Sequence, residues 1–173
     1  EITENAILNA NYLKKKLEND YTIYSQNSKG FVGHEFIIDL REFKKLGITE
    51  KDIAKRLLDY SFHPPTMSWP ILGSVMIEPT ESESKEELDR FVEAMLKIRE
   101  EIREIERGEY SLDSNVLVNS PHSMKDLTKW EFDYDINKAC FPVSNLQNRK
   151  FWPTNSRIDD VYGDKNLCLK LIG

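Results

Sequence analysis

From about Thr3 to Leu17 apolar residues return at three- and four-residue steps, with Ile7, Leu8, Tyr12, Leu13 and Leu17 on one stripe, the period of an amphipathic helix. Asn19-Asp20 ends that pattern, Tyr21 to Tyr24 alternates like a strand, and Asn27 to Gly30 reads as a turn. The alternation from Phe31 to Leu40 is longer. It puts Phe36, Ile38 and Leu40 on one face and Glu35, Ile37 and Asp39 on the other, so this strand is expected to pair with the first. Thr49 and Asp52 resemble a capping box opening a helix to about Tyr60, with Ile53, Ala54, Leu57 and Leu58 buried and Lys51, Lys55 and Arg56 facing water. Ser84-Lys85-Glu86-Glu87 spells a full capping box. The stripe Leu88, Phe91, Val92, Met95, Ile98, Ile102, Ile105 then predicts a long helix that Gly108 stops.

Between those two helices lies the stretch Ser61 to Glu81. Pro64 and Pro65 fix their own φ and push the residues before them out of the helical region, which predicts a stiff extended loop over His63 to Trp69. Val75-Met76-Ile77 after Gly73 reads as a buried strand, ended by Pro79 because proline cannot donate to a ladder. Rigid, polar-tipped loops feeding core strands commonly wall active sites, although on spacing alone such a loop is more often a packed connector. Beyond Gly108 periodic stretches give way to punctuators such as Asn119-Ser120-Pro121 and Trp152-Pro153, yet Trp130, Phe132, Tyr134, Phe141, Phe151, Trp152 and Tyr162 recur. A disordered tail would lack such aromatics. The expectation is a domain over 1–108 and an extended, aromatic-rich arm over 109–173 that lies on another surface, with at most a short helix near Ser123 to Lys129.

Composition narrows the function classes. The chain has 173 residues, enough for one domain with a real core, and 31% charged residues with a formal net charge of -6. Its basic clusters, such as Lys14-Lys15-Lys16, are interleaved with or followed by acids, which argues against nucleic acid as a partner. No apolar run approaches the roughly 20 residues of a membrane span, so no membrane partner is expected. Helix-like sequence from the third or fourth residue suggests a piece of something longer. Cys140 and Cys168 sit in no ligand spacing; free thiols are the better reading than a disulfide. His34, His63 and His122 have no i, i+4 partner, so no metal site is legible. His63 suits a general base or hydrogen-bond donor, His34 a strand-embedded structural residue, and His122 an exposed or docking role. No nucleophile elbow and no phosphate-binding glycine loop occurs. The residues alone define an α/β chain without defining a reaction.

Longer motifs carry more. V-G-H-E-F-I-I-D-L-R (32–41), A-K-R-L-L-D-Y-S-F-H-P-P-T-M-S-W-P (54–70), M-I-E-P-T-E-S-E-S-K-E-E-L-D-R-F (76–91) and F-W-P-T-N-S-R-I-D-D-V-Y-G-D-K-N-L (151–167) resemble the C-terminal region of glycine decarboxylase, the P-protein of the glycine cleavage system. The resemblance spans essentially the whole chain and weakens over Glu109 to Arg149 and over the last six residues. It implies a small α+β domain of a fold-type-I pyridoxal-phosphate enzyme, with a mainly antiparallel sheet covered by helices and an arm docking on the large domain or partner subunit. Such an enzyme decarboxylates glycine and passes the aminomethyl group to the lipoyl arm of the H-protein. The implied partners are glycine, lipoylated H-protein and the remainder of the P-protein in a homo-oligomer, in a bacterial cytoplasm or a mitochondrial matrix.

No family-type cofactor lysine motif occurs in 1–173, so pyridoxal phosphate is expected to be held mainly by a portion outside this chain, which would be inactive alone. The resemblance puts the Pro-rich loop at the active-site mouth, making His63, Thr66 and Ser68 candidate catalytic residues and Trp69 and Arg157 candidates for substrate or partner binding. Arg157 also fits an ion-pair knot with Asp159 and Asp160. Related enzymes often carry a carboxylate-gripping arginine near the end of the corresponding strand, where this chain reads Met76-Ile77-Glu78-Pro79. A decarboxylase has reason to omit it, since such a clamp stabilises the ground-state carboxylate that must be lost. Leu167-Cys168-Leu169 replaces the family's frequent Cys-x-Cys tail. The alternative function is a non-catalytic interaction or assembly module derived from the same domain.

Overall fold

In the computed structural model, which describes residues 1–166, the first helix α1 runs over Ile2–Leu17 and inserts Ala10, Leu13 and Leu17 into the core. The expected stripe is rotated. Ile7 and Leu8 stay exposed at 40% and 66%, because the helix is covered along its second half, where it packs on the long helix. Strand β1 is only Thr22–Ile23 and β2 only Phe36–Asp39, shorter than the alternation suggested, since Phe31 to Glu35 passes outside the ladder. Phe36, Ile38 and Leu40 are buried, as the alternation requires. A 3-10 turn over Arg41–Leu46 leads to α2, Glu50–Asp59, where the Thr49/Asp52 box forms in both directions.

Strands β3, Thr66–Met67, and β4, Ser74–Ile77, complete a four-stranded antiparallel sheet of order β1-β2-β4-β3, with Phe36 opposite Ile77 and Ile38 opposite Val75. At the β3–β4 turn Gly73 adopts φ +81°, and a Cβ there would meet Arg41 Cγ at 2.7 Å, so neither the backbone nor the space admits a side chain. Helix α3, Lys85–Glu106, packs on α1 and α2 and buries Leu88, Val92, Met95, Ile98, Ile102 and Ile105. Gly108, at φ +76°, lets the chain leave it. The capping box at Ser84 is half made: Ser84 Oγ accepts from Glu87 N–H, but the Glu87 carboxylate turns to Arg90 instead of back to the cap.

The segment beyond Gly108 does not keep its aromatics for an outside surface alone. Val116, Leu117, Tyr134, Ala139, Cys140, Val143 and Leu146 join the same hydrophobic core as the helices and sheet. Besides α4 (Met124–Thr128), near the expected position, it forms α5 (Ile136–Cys140) and α6 (Asp160–Lys165). Trp130, Phe132 and Tyr134 pack about His122, and Phe141 meets Trp152 edge-on at 5.8 Å. Phe151 and Tyr162 remain exposed at 70% and 66%. No helix among the described residues is long and apolar enough to cross a membrane.

Candidate functional site

The Pro-rich loop leaves α2 through a tight helix ending. Ser61 takes φ +62°, its N–H reaching Leu58 O and the Phe62 N–H reaching Leu57 O, the double closure that glycine usually supplies. Serine adds something glycine lacks: its Oγ accepts the N–H of Phe151 at 2.8 Å. Lys150 Nζ donates to Asp59 O and Arg90 donates to Tyr60 O, so three consecutive residues at the loop's root are gripped from two other elements. Arg90 also lies 3.7 Å over the Phe62 ring, and Phe62 meets Phe91 edge-on. These contacts fix the direction in which Pro64 and Pro65 carry the chain into β3.

The far end is held as firmly. Ser68, at φ +55°, donates from Oγ to Glu50 Oε1 at 2.6 Å, and its backbone N–H bonds Ser74 O. Trp69 follows on the exposed hairpin tip, 64% accessible, with Leu72 at 79%. The Trp69-Pro70 and Ser120-Pro121 peptide bonds are cis.

Between this loop, the end of β4 and the first turns of α3 lies an open groove of about 400 Å³. Its floor is apolar, from Leu13, Phe62, Ile77, Leu88 and Phe91; its rim carries His63, Thr66, Glu78, Glu83 and Glu87. The Arg90 hydrogen bonds hold the Glu87 carboxyl below the usual carboxylate range, despite partial burial. His63 and Thr66 therefore share one wall. Ser68 and Trp69 are not among the lining residues, the first because its hydroxyl is turned to Glu50. Arg157 lies elsewhere: it pairs with Asp52 at 2.8 Å and donates to the carbonyls of Ser120 and Leu117. Asp159 and Asp160 are not its partners, because Asp159 caps α6 and Asp160 binds Lys51.

Two constellations escaped sequence reasoning. Arg56, expected to face water, has no exposed surface; it binds Glu101 through two nitrogens and Asp59 through a third, and donates to Lys138 O and Ala139 O. His122 is equally buried, not exposed, with Nδ1 at 2.8 Å from Asp59 and Nε2 at 2.8 Å from the Tyr134 hydroxyl. Burial pushes the Asp59 carboxyl up, but His122 and Arg56 outweigh it and hold the group below its ordinary value. The one available signal was that Arg56 and Asp59 stand three apart on a helix. The second constellation is His34, Glu35 and Glu78, whose ligand atoms lie within 4.8 Å of one another. Sequence spacing missed it because Glu78 arrives by strand pairing, and His34 proves exposed, not embedded in a strand.

The groove does not fit a covalently held pyridoxal phosphate. No lysine lines it, and its carboxylates repel a phosphate. Lys14 and Lys150, the more buried lysines singled out by their contacts, are committed to Glu18 and to Asp59 O.

The architecture defines a small α+β domain, and the groove among its described residues has an apolar floor and an acidic rim. The profile of the family described as glycine dehydrogenase, C-terminal domain, matches residues 2–122. The chain is 55% identical over 169 residues to glycine dehydrogenase (decarboxylating) 1 of Colwellia psychrerythraea, covering 96% of this chain and 18% of that protein. It is 54% identical over 174 residues to glycine dehydrogenase (decarboxylating) of Teredinibacter turnerae, covering 99% and 18%. A putative mitochondrial glycine dehydrogenase (decarboxylating) of Schizosaccharomyces pombe is 54% identical over 165 residues, covering 94% and 16%. The chain belongs to the glycine dehydrogenase C-terminal domain family and spans less than a fifth of the length of these relatives.

Proposed function

We propose that this chain works as the C-terminal part of a pyridoxal-phosphate-dependent glycine decarboxylase of the glycine cleavage system. The observation that carries the reading is identity of 54–55% along nearly the whole chain to proteins named for that activity. The acid-rimmed, lysine-free groove supports a division of labour in which the cofactor is held by a portion outside this chain. The loop, pinned at both ends, then serves as one wall of the mouth, offering the His63 imidazole and the Thr66 hydroxyl. A rigid wall of this kind orients a small substrate and excludes water. Glycine and the lipoylated H-protein are the partners in this reading, the remainder of the P-protein is the docking surface for the exposed aromatics of the arm, and the full enzyme is a homo-oligomer. The compartment is a bacterial cytoplasm or a mitochondrial matrix.

The test is glycine–carbon dioxide exchange with pyridoxal phosphate and lipoylated H-protein, using this chain alone and then co-expressed with the missing portion. Exchange only on reconstitution is the expected result, with His63→Ala lowering it by about 10²-fold at unchanged melting temperature. No exchange from an assembled, cofactor-loaded complex sinks the reading in favour of a non-catalytic assembly module.

A further inference from the structure

At Glu78 and Glu83 the groove holds negative charge that no lysine or arginine among the described residues pairs. Just past the Phe36–Ile77 pair that ends the β2–β4 ladder, carboxylate oxygens of Glu35 and Glu78 come within 4.8 Å of one another, and like charges that close repel. Among the described residues, the only basic group near either carboxylate is His34, at 3.8 and 4.0 Å, and no lysine or arginine pairs with Glu35, Glu78 or Glu83. The neighbouring cations are committed: Arg90 to Glu87, and Lys85 to Asp89. Glu78 and Glu83 line the same groove as the apolar Phe62, Ile77 and Phe91.

We infer that this groove receives a lysine side chain from a segment of the longer polypeptide outside these 173 residues, its methylene stem on the apolar floor and its ammonium between Glu78 and Glu83. Charge complementarity selects a cation, and the floor selects one with an apolar stem. Lysine suits the site better than arginine. The two carboxylates come from different elements, the end of β4 and the loop before α3, so they offer a point charge two partners rather than presenting one forked acceptor to a planar guanidinium. The same polypeptide is the indicated source because the relatives extend far past the matched stretch, which is 16–18% of their length. The inference rests on the reading that this chain works as part of a longer protein. It assigns the lysine a docking role in the groove that His63 and Thr66 also line.

Zero-length carbodiimide cross-linking of the native full-length protein, followed by peptide mass spectrometry, tests it. The expected product is an isopeptide between Glu78 or Glu83 and a lysine outside this stretch, formed within one polypeptide when heavy- and light-nitrogen copies are mixed, and lost in Glu78→Gln/Glu83→Gln. The Lys138–Glu104 and Lys51–Asp160 pairs give internal positive controls. Control products without an isopeptide at Glu78 or Glu83 overturn the inference, as does one to a second copy or to another protein. An intact native mass equal to this chain alone defeats the underlying reading instead, so the two failures are told apart.

Discussion

Arg56 is a full charge with no exposed surface, and its guanidinium answers two carboxylates and two carbonyls at once. Replacing it with methionine fills similar volume but strands Asp59 and Glu101 in a dry interior. The expected loss is about 3–5 kcal/mol, read by urea unfolding of the purified chain. Asp59 adds a pH signature. Its carboxyl is held below the ordinary value in the fold, so the unfolded chain binds a proton more readily. The resulting stability is fully present above the unfolded value of about 3.9 and is lost as pH falls through the lower folded value. The unfolding midpoint of the native chain should therefore fall more steeply below about pH 4 than that of Asp59→Asn, which lacks the titrating group. Equal slopes would remove Asp59 from the acid limb. None of this was legible, because amphipathic periodicity assigns an arginine beside a buried stripe to water; only the packing of α3 and α5 around α2 brings up Glu101 and the Lys138 and Ala139 carbonyls.

The helix boundaries at α2 and α3 were legible to within a residue or two, since capping chemistry is local in sequence. What the capping carboxylates do next was not. Asp52 closes the Thr49 cap and also receives Arg157 from far along the chain, whereas Glu87 abandons its cap for Arg90. Asp52→Ala should thus cost more than an ordinary cap loss of about 1 kcal/mol, while Ser84→Ala should cost about that much; paired thermal melts decide. The β3–β4 turn offers a sharper prediction. Gly73→Ala must place a side chain at φ +81° and displace Arg41, which binds Asp39. A loss of about 1–3 kcal/mol is expected, with amide shifts spreading to Asp39 and Ser68 in the nuclear magnetic resonance spectrum. The short strands, by contrast, were overestimated because alternation continues through Phe31 to Glu35, where no partner strand exists to pair with it.

For the whole molecule, the sequence marks where periodic helices stop at Gly108 but not that the core continues past it. Irregular backbone hides its burial pattern from any periodicity test, and the segment's apolar contributors are spread over short helices and loops. Leu117, Ala139, Cys140 and Leu146 are fully buried against the first part, and Arg56 depends on two of its carbonyls. A chain ending at Gly108 should lack cooperative unfolding and a dispersed amide spectrum; a sharp transition in that truncation would show that the first part is self-sufficient. Of the candidate residues, His63 and Thr66 line the groove, whereas Ser68, Trp69 and Arg157 do not. Its acidic rim needed the fold, because Glu78 and Glu83 acquire meaning only beside an apolar floor built from three helices' worth of sequence separation.

Cys140 is fully buried and its thiol is pushed up to about 11 by desolvation, so the closed molecule presents almost no thiolate at neutral pH. That makes the residue a native clock for the embrace between the two parts of the chain. In a Cys168→Ser background, alkylation can proceed only through openings that lift α5 away. The ratio of observed to free-thiol labelling rates then measures how rarely the molecule lets go, without any engineered label.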